Sequence, residues 1–253
     1  MKKDSRPLYA KPGNDLEEER KSLATLVNVG VDGILLAVSN NTLDEEHLAH
    51  LHEENIPFVF FDKVPESISG PKVLTNDYKG AFMATEHLIK QKYTRIAHIK
   101  GQQGSRNALP RFMGYTDALA KHRHVFNAAY VKQCKHASEE EGYKFTNDLL
   151  RMKQRPDAFF TVNDETAIGV ITALRKHKIS IPDEVGVVGY CNSKTGMYMQ
   201  PSLTSVEQYG NDIGSRSAEI LADMIMGKAG EDVMSKQIIL EPRLVIRDSS
   251  KRH

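Results

Sequence analysis

Residues 157–192 hold two short apolar runs joined by an amphipathic stretch, and this arrangement sets the fold class of the chain. The runs lie at residues 158–162 and 185–189. Between them Ala167, Ile168, Ile171 and Leu174 repeat at helical spacing and form one apolar stripe. Two apolar strands joined by such a helix form a βαβ unit, in which the strands are parallel and helices cover the sheet. The stretch therefore predicts an α/β fold.

Polar residues follow both predicted strands at their carboxyl ends, where ligands bind in open parallel sheets. Asn163 and Asp164 follow the first run, and Tyr190, Cys191 and Asn192 close the second. One of the first two caps the helix by accepting a hydrogen bond from a free backbone N–H. We expect Asp164 to be the cap and Asn163 to face the ligand. These residues predict a small-molecule site.

Strands and helices alternate along the rest of the chain at a spacing of roughly 25 residues, as an α/β sandwich requires. We expect further strands at residues 34–38, 58–61, 73–75, 95–99, 129–131, 201–206, 237–240 and 243–246, and a strand end at residues 8–10. We expect further helices from residue 15 to 30, and at residues 44–54, 76–91, 111–121, 138–152 and 209–226. The tail at residues 249–253 is expected to be frayed.

The bulk composition argues against several classes of protein. A formal net charge of +1 lacks the basic excess of a dedicated nucleic-acid surface. The two cysteines, Cys134 and Cys191, indicate a reducing compartment rather than a disulfide framework. No apolar run approaches the length of a membrane span, and no apolar core follows the first lysines as in a secretory signal. We therefore expect a cytoplasmic protein.

The sequence also lacks the common signatures of catalysis and metal binding. His47, His50 and His52 do not share one helix face, so they do not predict a metal site. Nucleotide-binding glycine motifs and the G-x-S-x-G nucleophile motif are absent. No paired acid and base stand out either. We expect no catalytic residues, no metal and no cofactor.

Eight stretches cover most of residues 15–247, and they read VDGILL at 31–36, FFD at 60–62, TNDYKGAFMATEHLI at 75–89, RIAHIKG at 95–101, RFMGYTDAL at 111–119, DAFFTVNDETAIGV at 157–170, IPDEVGVVGY at 181–190 and PSLTSVEQ at 201–208. Together they resemble the effector-binding region of LacI/GalR-type transcriptional repressors, which shares its fold with periplasmic sugar-binding proteins. No single motif is decisive, but their order and spacing carry the resemblance.

The resemblance implies two Rossmann-like lobes with parallel sheets, the type I periplasmic-binding-protein-like fold, joined by three crossovers near residues 75–77, 206–208 and 241. The amino-terminal lobe would hold residues 1–76 and 208–240, and the carboxyl-terminal lobe residues 77–207 and 241–253. A small effector, a sugar or a sugar-like molecule, would bind in the cleft between the lobes. Operator DNA would be read by a helix-turn-helix that this chain does not contain, and a homodimer is implied. The alternatives are a solute-binding protein of a transport system and an enzyme on a similar scaffold.

The resemblance also assigns ligand contacts to particular positions. Asp62 matches an acidic cleft residue, and Arg111, in the R-x-x-G-Y pattern, matches an arginine that reaches the ligand. The full set of expected ligand residues, including those placed by the strand-end argument, is Asp62, Asn76, Asp77, Arg111, Phe160, Asn163, Tyr190, Cys191, Asn192 and Gln208. Phe159 and Phe160 point to opposite faces of their strand, so one is expected in the core and Phe160 at the site.

Two departures from the family pattern stand out. Cys191 occupies the position where the family often has Asp, which removes one carboxylate that would bind a sugar diol. The first strand and first helix of the amino-terminal lobe are also missing from the expected pattern, along with the helix-turn-helix. Their absence would leave N–H and C=O groups of a neighbouring strand unpaired. Either the sequence is a fragment, or its start is truncated, or another segment fills the gap.

Overall fold

The computed structural model describes residues 16–39, 46–65, 67–102 and 104–252, and the chain divides into two units. Unit 1 holds Met1–Leu74 with Asn211–Ile238, and unit 2 holds Thr75–Gly210 with Ile239–His253. The predicted boundaries after residues 76, 207 and 240 differ from these by two or three positions. The predicted strand end at residues 8–10 lies outside the described residues.

Unit 1 is built around a four-stranded sheet with the order β1-β2-β3-β9. The strands are β1 (Ile34–Leu36), β2 (Phe58–Phe61), β3 (Lys72–Thr75) and β9 (Gln237–Leu240), and the helices are α1 (Leu16–Val29), α2 (Glu46–Glu53) and α8 (Gly210–Ile225). β1 is parallel to β2, with Ile34 beside Phe58, and β2 is parallel to β3. Side chains of Leu23, Leu48 and Leu51 pack on Phe58 and Phe60 to form its core.

Unit 2 is built around a six-stranded sheet with the order β10-β8-β7-β6-β4-β5. Its strands are β4 (Ile96–Lys100), β5 (Val131–Gln133), β6 (Ala158–Thr161), β7 (Gly186–Tyr190), β8 (Thr204–Glu207) and β10 (Arg243–Val245), and its helices are α3 (Asp77–Lys90), α4 (Ala108–Lys121), α5 (Glu139–Leu150), α6 (Asp164–Lys176) and α7 (Lys194–Tyr198). All neighbours are parallel except β10, which is antiparallel to β8. The α/β prediction is confirmed.

Apolar side chains cover both faces of the unit 2 sheet. Phe159 and Val187 pack with Val170 and Ile171 of α6 on one face. Phe160 and Val188 pack with helices α3 and α4 on the other face, in a cluster that also contains Ala81, Ala84, Leu88, Tyr115, Leu119 and Tyr190. Because both faces are buried, the strands are continuous apolar runs in the sequence, as a central parallel sheet requires.

Two predicted strands are misplaced. Residues 129–131 were expected to be a strand, but Ala128–Tyr130 is a 3-10 helix because the Asn127 side chain accepts a hydrogen bond from the Ala129 N–H at 3.0 Å. The strand β5 begins only at Val131. Residues 201–203 also precede their strand, since β8 starts at Thr204.

The carboxyl-terminal tail is packed against the sheet, so the expectation that it is frayed is wrong. Ser249 and Ser250 are fully buried. The Ser249 hydroxyl donates to Val187 O at 2.6 Å and accepts from the Thr204 N–H at 2.8 Å. The Ser250 hydroxyl lies 2.8 Å from Nε2 of His87. These bonds join the tail to the amino-terminal ends of β7 and β8 and to helix α3.

No helix in the described part of the chain has the length and apolar character that crossing a membrane requires.

Candidate functional site

The carboxyl ends of β4, β6 and β7 meet at one edge of unit 2, because these three strands are parallel neighbours. Four groups gather there, and we call them the Arg111 cluster: the side chains of Asp77, Arg111 and Tyr190 and the backbone carbonyl of Val162. The cluster joins the first turns of α3 and α4 to the ends of β6 and β7.

Arg111 is the central group of the cluster and is only 5% exposed. Its Nε donates to Asp77 Oδ1 at 2.8 Å, and its Nη1 donates to Val162 O at 2.6 Å. Its Cζ lies 3.7 Å from the centroid of the Tyr190 ring, within cation–π range. A planar guanidinium meets all three partners at once, which a lysine ammonium does not do.

The charge of Arg111 is held in place by Asp77. Burial opposes the charged form, but the Asp77 carboxylate, together with Tyr190 and Cys191, raises the pKa of Arg111 above its ordinary value. The pair is nearly buried, with Asp77 at 12% side-chain exposure. Losing one partner would leave the other as a buried unpaired charge, which costs about 3–5 kcal/mol.

The R-x-x-G-Y pattern has a structural explanation in helix α4. Gly114 lies against α3 so closely that a Cβ there would stand 2.3 Å from Tyr78 O. This close approach brings Arg111, one turn earlier, within reach of Asp77. Tyr115 fixes the same helix to the sheet, because its hydroxyl donates to Ile96 O at 2.8 Å. The pattern therefore positions the arginine at the strand ends.

Asn76, another expected ligand residue, caps helix α3. Its Oδ1 accepts from the Lys79 N–H at 3.0 Å, and its Nδ2 donates to Glu241 at 3.4 Å. Lys79 and Glu241 form an ion pair of 2.6 Å beside it. The side chain of Asn76 is thus engaged within unit 2.

The prediction that Asp164 caps helix α6 is wrong. Asn163 is the cap of α6: its Oδ1 accepts from the Thr166 N–H at 2.8 Å, and its Nδ2 donates to Ala137 O at 2.9 Å. Asp164 is buried and accepts from the Ser205 hydroxyl at 2.6 Å and from the Ser193 N–H at 2.5 Å. Burial raises the pKa of Asp164, and the hydrogen bonds from Ser205 and Ser193 act in the opposite direction.

Replacing Asn163 with Ala is expected to lower the free energy of unfolding by about 1–2 kcal/mol, because α6 loses its cap and the brace to Ala137. Urea unfolding followed by circular dichroism measures the change. Ser138→Ala is the matched control, since Ser138 caps α5 through a longer bond of 3.4 Å to the Glu141 N–H and should cost less. Equal stability of wild type and Asn163→Ala would contradict the cap.

The aromatic residues expected at the site are part of the core. Phe159 and Phe160 are both fully buried, so the expectation that Phe160 lines the site is wrong. Phe160 stacks on the ring of His98 with centroids 4.7 Å apart. Tyr190 is also fully buried, and burial raises its pKa well above the ordinary value. Tyr190 contributes to the Arg111 cluster through its ring face.

Cys191 and Asn192 both adopt left-handed backbone conformations directly after β7, with φ of 97° and 50°. Cys191 is exposed and its N–H donates to Val206 O at 2.9 Å. Asn192 is held in a polar network: its Nδ2 donates to Glu207 at 2.6 Å and its Oδ1 accepts from Arg247 at 2.7 Å. Sequence reasoning missed Arg247, which no motif marks.

Gln208 and Asp62, the remaining expected residues, lie in different units. The Gln208 carbonyl accepts from the Thr75 hydroxyl at 3.1 Å within unit 2. Asp62 follows β2 in unit 1, has a φ of 56°, and donates its N–H to Val73 O at 3.1 Å. With Ser39 and Lys63 it lines a cavity of about 210 Å³. Among the described residues no group of three or more His, Cys, Asp or Glu side chains is arranged to hold a metal ion.

The sequence and the fold are similar to those of known regulators. Residues 85–250 match the family model of the periplasmic binding protein-like domain. The chain is 30% identical over 242 residues to the HTH-type transcriptional repressor PurR of Aliivibrio fischeri, covering 93% of this chain and 69% of that protein. The solved transcriptional regulator CelR–cellobiose complex superposes with a TM-score of 0.83 at 27% identity, over 93% of this chain and 71% of that one. A LacI family transcriptional regulator from Enterococcus faecium with bound ribose gives 0.80 at 27% identity, over 91% and 83%.

Proposed function

Because the chain belongs to the LacI family of transcriptional regulators and forms its periplasmic-binding-protein-like effector domain, we propose that it senses a sugar and passes the signal to operator DNA. The related structures with cellobiose and ribose support a sugar as the effector. The relatives are regulators, which favours this function over a solute-binding protein of a transport system.

The observation that carries the proposal is the geometry of Arg111. The described partners use its Nε and one N–H of Nη1, so the remaining guanidinium N–H groups can donate to ligand oxygens. The paired Asp77 carboxylate balances its charge. A charge-balanced cluster with spare donors suits the hydroxyl groups of a neutral sugar, for which no net charge has to be neutralised.

Regulation follows from differential binding. An effector shifts the equilibrium between two arrangements of the protein only by the difference in its affinity for them. We infer that the full regulator is a cytoplasmic homodimer, since a palindromic operator is read by a protein with two-fold symmetry. The effector is released unchanged.

A thermal-shift screen of sugars, sugar phosphates and purines tests the proposal, because a ligand that binds the native state raises the melting temperature. For a sugar that gives a shift, Arg111→Lys is expected to weaken binding about tenfold or more by calorimetry, because lysine loses the fork of donors. Arg95→Lys is the matched control. Arg95 is 44% exposed and donates to Arg155 O, at the amino-terminal end of β4 in the same sheet.

Two results would contradict the assignment. If Arg111→Lys binds the sugar as tightly as the wild type, Arg111 does not contact the effector. If only purines or sugar phosphates raise the melting temperature, the effector is not a neutral sugar.

A further inference from the structure

Three residues beyond the carboxyl ends of β7 and β8 have left-handed backbone conformations, although none of them is glycine. Cys191 and Asn192 follow β7 with φ of 97° and 50°, and Tyr209 follows β8 with φ of 57°. Such conformations are uncommon outside glycine and persist only where neighbouring groups hold them. Because β7 and β8 are parallel neighbours, the segments that follow them leave the sheet side by side.

The Glu207 carboxylate holds two of these residues at once. Its Oε2 accepts from Asn192 Nδ2 at 2.6 Å, and its Oε1 accepts from the Tyr209 N–H at 2.8 Å. A carboxylate offers an acceptor oxygen to each donor, and its charge strengthens both hydrogen bonds. One side chain therefore bridges the loop after β7 and the segment after β8, and we call this arrangement the Glu207 bridge.

Arg247 fixes the direction in which the Asn192 amide points. Its Nη2 donates to Asn192 Oδ1 at 2.7 Å, and the arginine is itself held by donating to Leu203 O at 2.6 Å and to Thr204 Oγ1 at 2.8 Å. Because the guanidinium engages the amide oxygen, the amide nitrogen faces Glu207. An aspartate of the same shape would keep the bond to Arg247 but could not donate to Glu207.

The two ends of the Glu207 bridge lie at different functional positions. At one end, Asn192 is two residues after Tyr190, whose ring centroid lies 3.7 Å from Arg111 Cζ. At the other end, Tyr209 immediately precedes Gly210, the last residue of unit 2 before the chain passes into unit 1. The bridge thus joins the loop beside the Arg111 cluster to a point where the chain crosses between the units.

The segment around Tyr209 also contacts residues that follow the other two passages between the units. Arg243 of β10 lies beside Glu207 in the strand register, and its Cζ is 5.6 Å from the centroid of the Tyr209 ring. The Thr75 hydroxyl donates to Gln208 O at 3.1 Å. A change in the backbone at Tyr209 therefore acts on groups at all three passages.

We propose that Asn192 and Glu207 are positioning residues that couple the loop at the effector site to the backbone conformation of Tyr209. The biological role of this coupling rests on the proposed function. A ligand group that engages the Asn192 amide, or that displaces its loop, removes one partner from the Glu207 carboxylate. The carboxylate then no longer holds the Tyr209 N–H, and Tyr209 shifts towards the more common right-handed conformations. Binding at the strand ends is thereby registered where the chain crosses.

Hydrogen exchange at the Tyr209 amide, followed by NMR in the whole chain, tests the Glu207 bridge. Asn192→Asp is expected to make this amide exchange about tenfold faster, because the Glu207 carboxylate turns away from the new like charge. Asn147→Asp is the matched control. Asn147 is a half-buried residue of α5 whose amide is also engaged on both sides, and its replacement should leave Tyr209 exchange unchanged.

A covalent label on Cys191 reports on coupling from the site itself. This thiol is exposed, whereas Cys134 is only 1% exposed. Sulfonatoethyl methanethiosulfonate is expected to speed Tyr209 exchange about fivefold in the wild type but less than about twofold in Asn192→Asp, where the bridge is already broken. The control label is placed at Thr195→Cys in a Cys191→Ser background, an exposed position on α7, and should not change Tyr209 exchange.

The proposal is overturned if Tyr209 exchanges equally in wild type and Asn192→Asp, or if the Cys191 label speeds that exchange equally in both. The labelled wild type carries no substitution, so a label without effect on Tyr209 also overturns the proposal, even where Asn192→Asp does not fold. Because the probe is a thiol reagent, these outcomes leave the sugar proposal untouched, and the thermal-shift screen tests that proposal separately.

Discussion

Gly169→Ala is expected to lower the free energy of unfolding by about 3 kcal/mol, because helices α5 and α6 touch backbone to backbone at this residue. A Cβ on Gly169 would stand 2.0 Å from Glu139 O and 2.7 Å from Tyr143 N. The reciprocal contact is at Gly142, where a Cβ would stand 2.2 Å from Thr166 O. Backbone atoms do not rotate away as a flexible side chain does, so the two helices must separate.

Gly214→Ala is the matched control for this prediction. Gly214 also lies inside a helix, α8, but outside that helix's own backbone no heavy atom of the described residues stands within 4 Å of its ideal Cβ position. There alanine is expected to stabilise the protein by about 0.5–1 kcal/mol through its higher helix propensity. Urea unfolding measures both variants, and a Gly169→Ala protein as stable as the wild type would refute the close helix crossing.

Lowering the pH from 7.5 to 5 is expected to remove about 2 kcal/mol of stability through His98 alone. His98 is fully buried, its Nδ1 lies 3.0 Å from Phe160 O, and its Nε2 has no hydrogen-bond partner among the described residues. Burial lowers the pKa of His98 from 6.5 to about 4, and the nearby Lys100 and Arg111 charges act in the same direction. The unfolded chain therefore takes up the proton first.

The direction of this effect follows from the lowered pKa. The contribution is complete above pH 6.5 and is lost as the pH falls towards 4, where the folded protein is protonated too. His98→Phe, which retains an aromatic ring beside Phe160, should make stability depend less steeply on pH. His136→Phe, at an exposed position, should retain the wild-type slope. Identical slopes for His98→Phe and wild type, measured by urea unfolding across the pH range, would refute the prediction.

His87 also makes the folded protein less stable as the pH falls. Burial, and less strongly the Lys90 charge, lowers its pKa to about 4. The Ser250 hydroxyl lies beside its Nε2.

The fold could be predicted from the sequence wherever the pattern of apolar residues within one stretch of the chain decides the element. The βαβ unit of β6, α6 and β7 was evident from apolar runs and helical spacing, because each element buries its apolar side chains along its own length. The same runs also signalled burial on both faces: a strand without polar alternation indicates a sheet covered on both sides. That signal could have placed Phe160 in the core from the sequence.

Side-chain partners that are distant in sequence could not be predicted in this way. Asn163 and Asp164 are both competent caps, and the choice depends on Ser205 and Ser193, which engage Asp164. Asn192 is engaged by Arg247, which follows β10 and lies 55 residues further along the sequence. The polarity of a residue at a strand end therefore does not show whether its side chain is available to a ligand.

Arg111 illustrates how a motif and the geometry complement each other. An arginine near the start of a helix is usually solvated, and only the R-x-x-G-Y pattern suggested a special role. The structure supplies the cause, since Gly114 permits the helix contact and Asp77 neutralises the buried charge. Asp77 lies 34 residues before Arg111, so sequence spacing alone does not reveal that the two side chains pair.

The buried serines near the carboxyl terminus have a genetic consequence. A nonsense mutation at codon 249 would strip Val187 O, the Thr204 N–H and His87 of the hydroxyl groups that contact them. Such alleles should resemble core missense alleles in severity, whereas changes confined to codon 251 should be nearly silent.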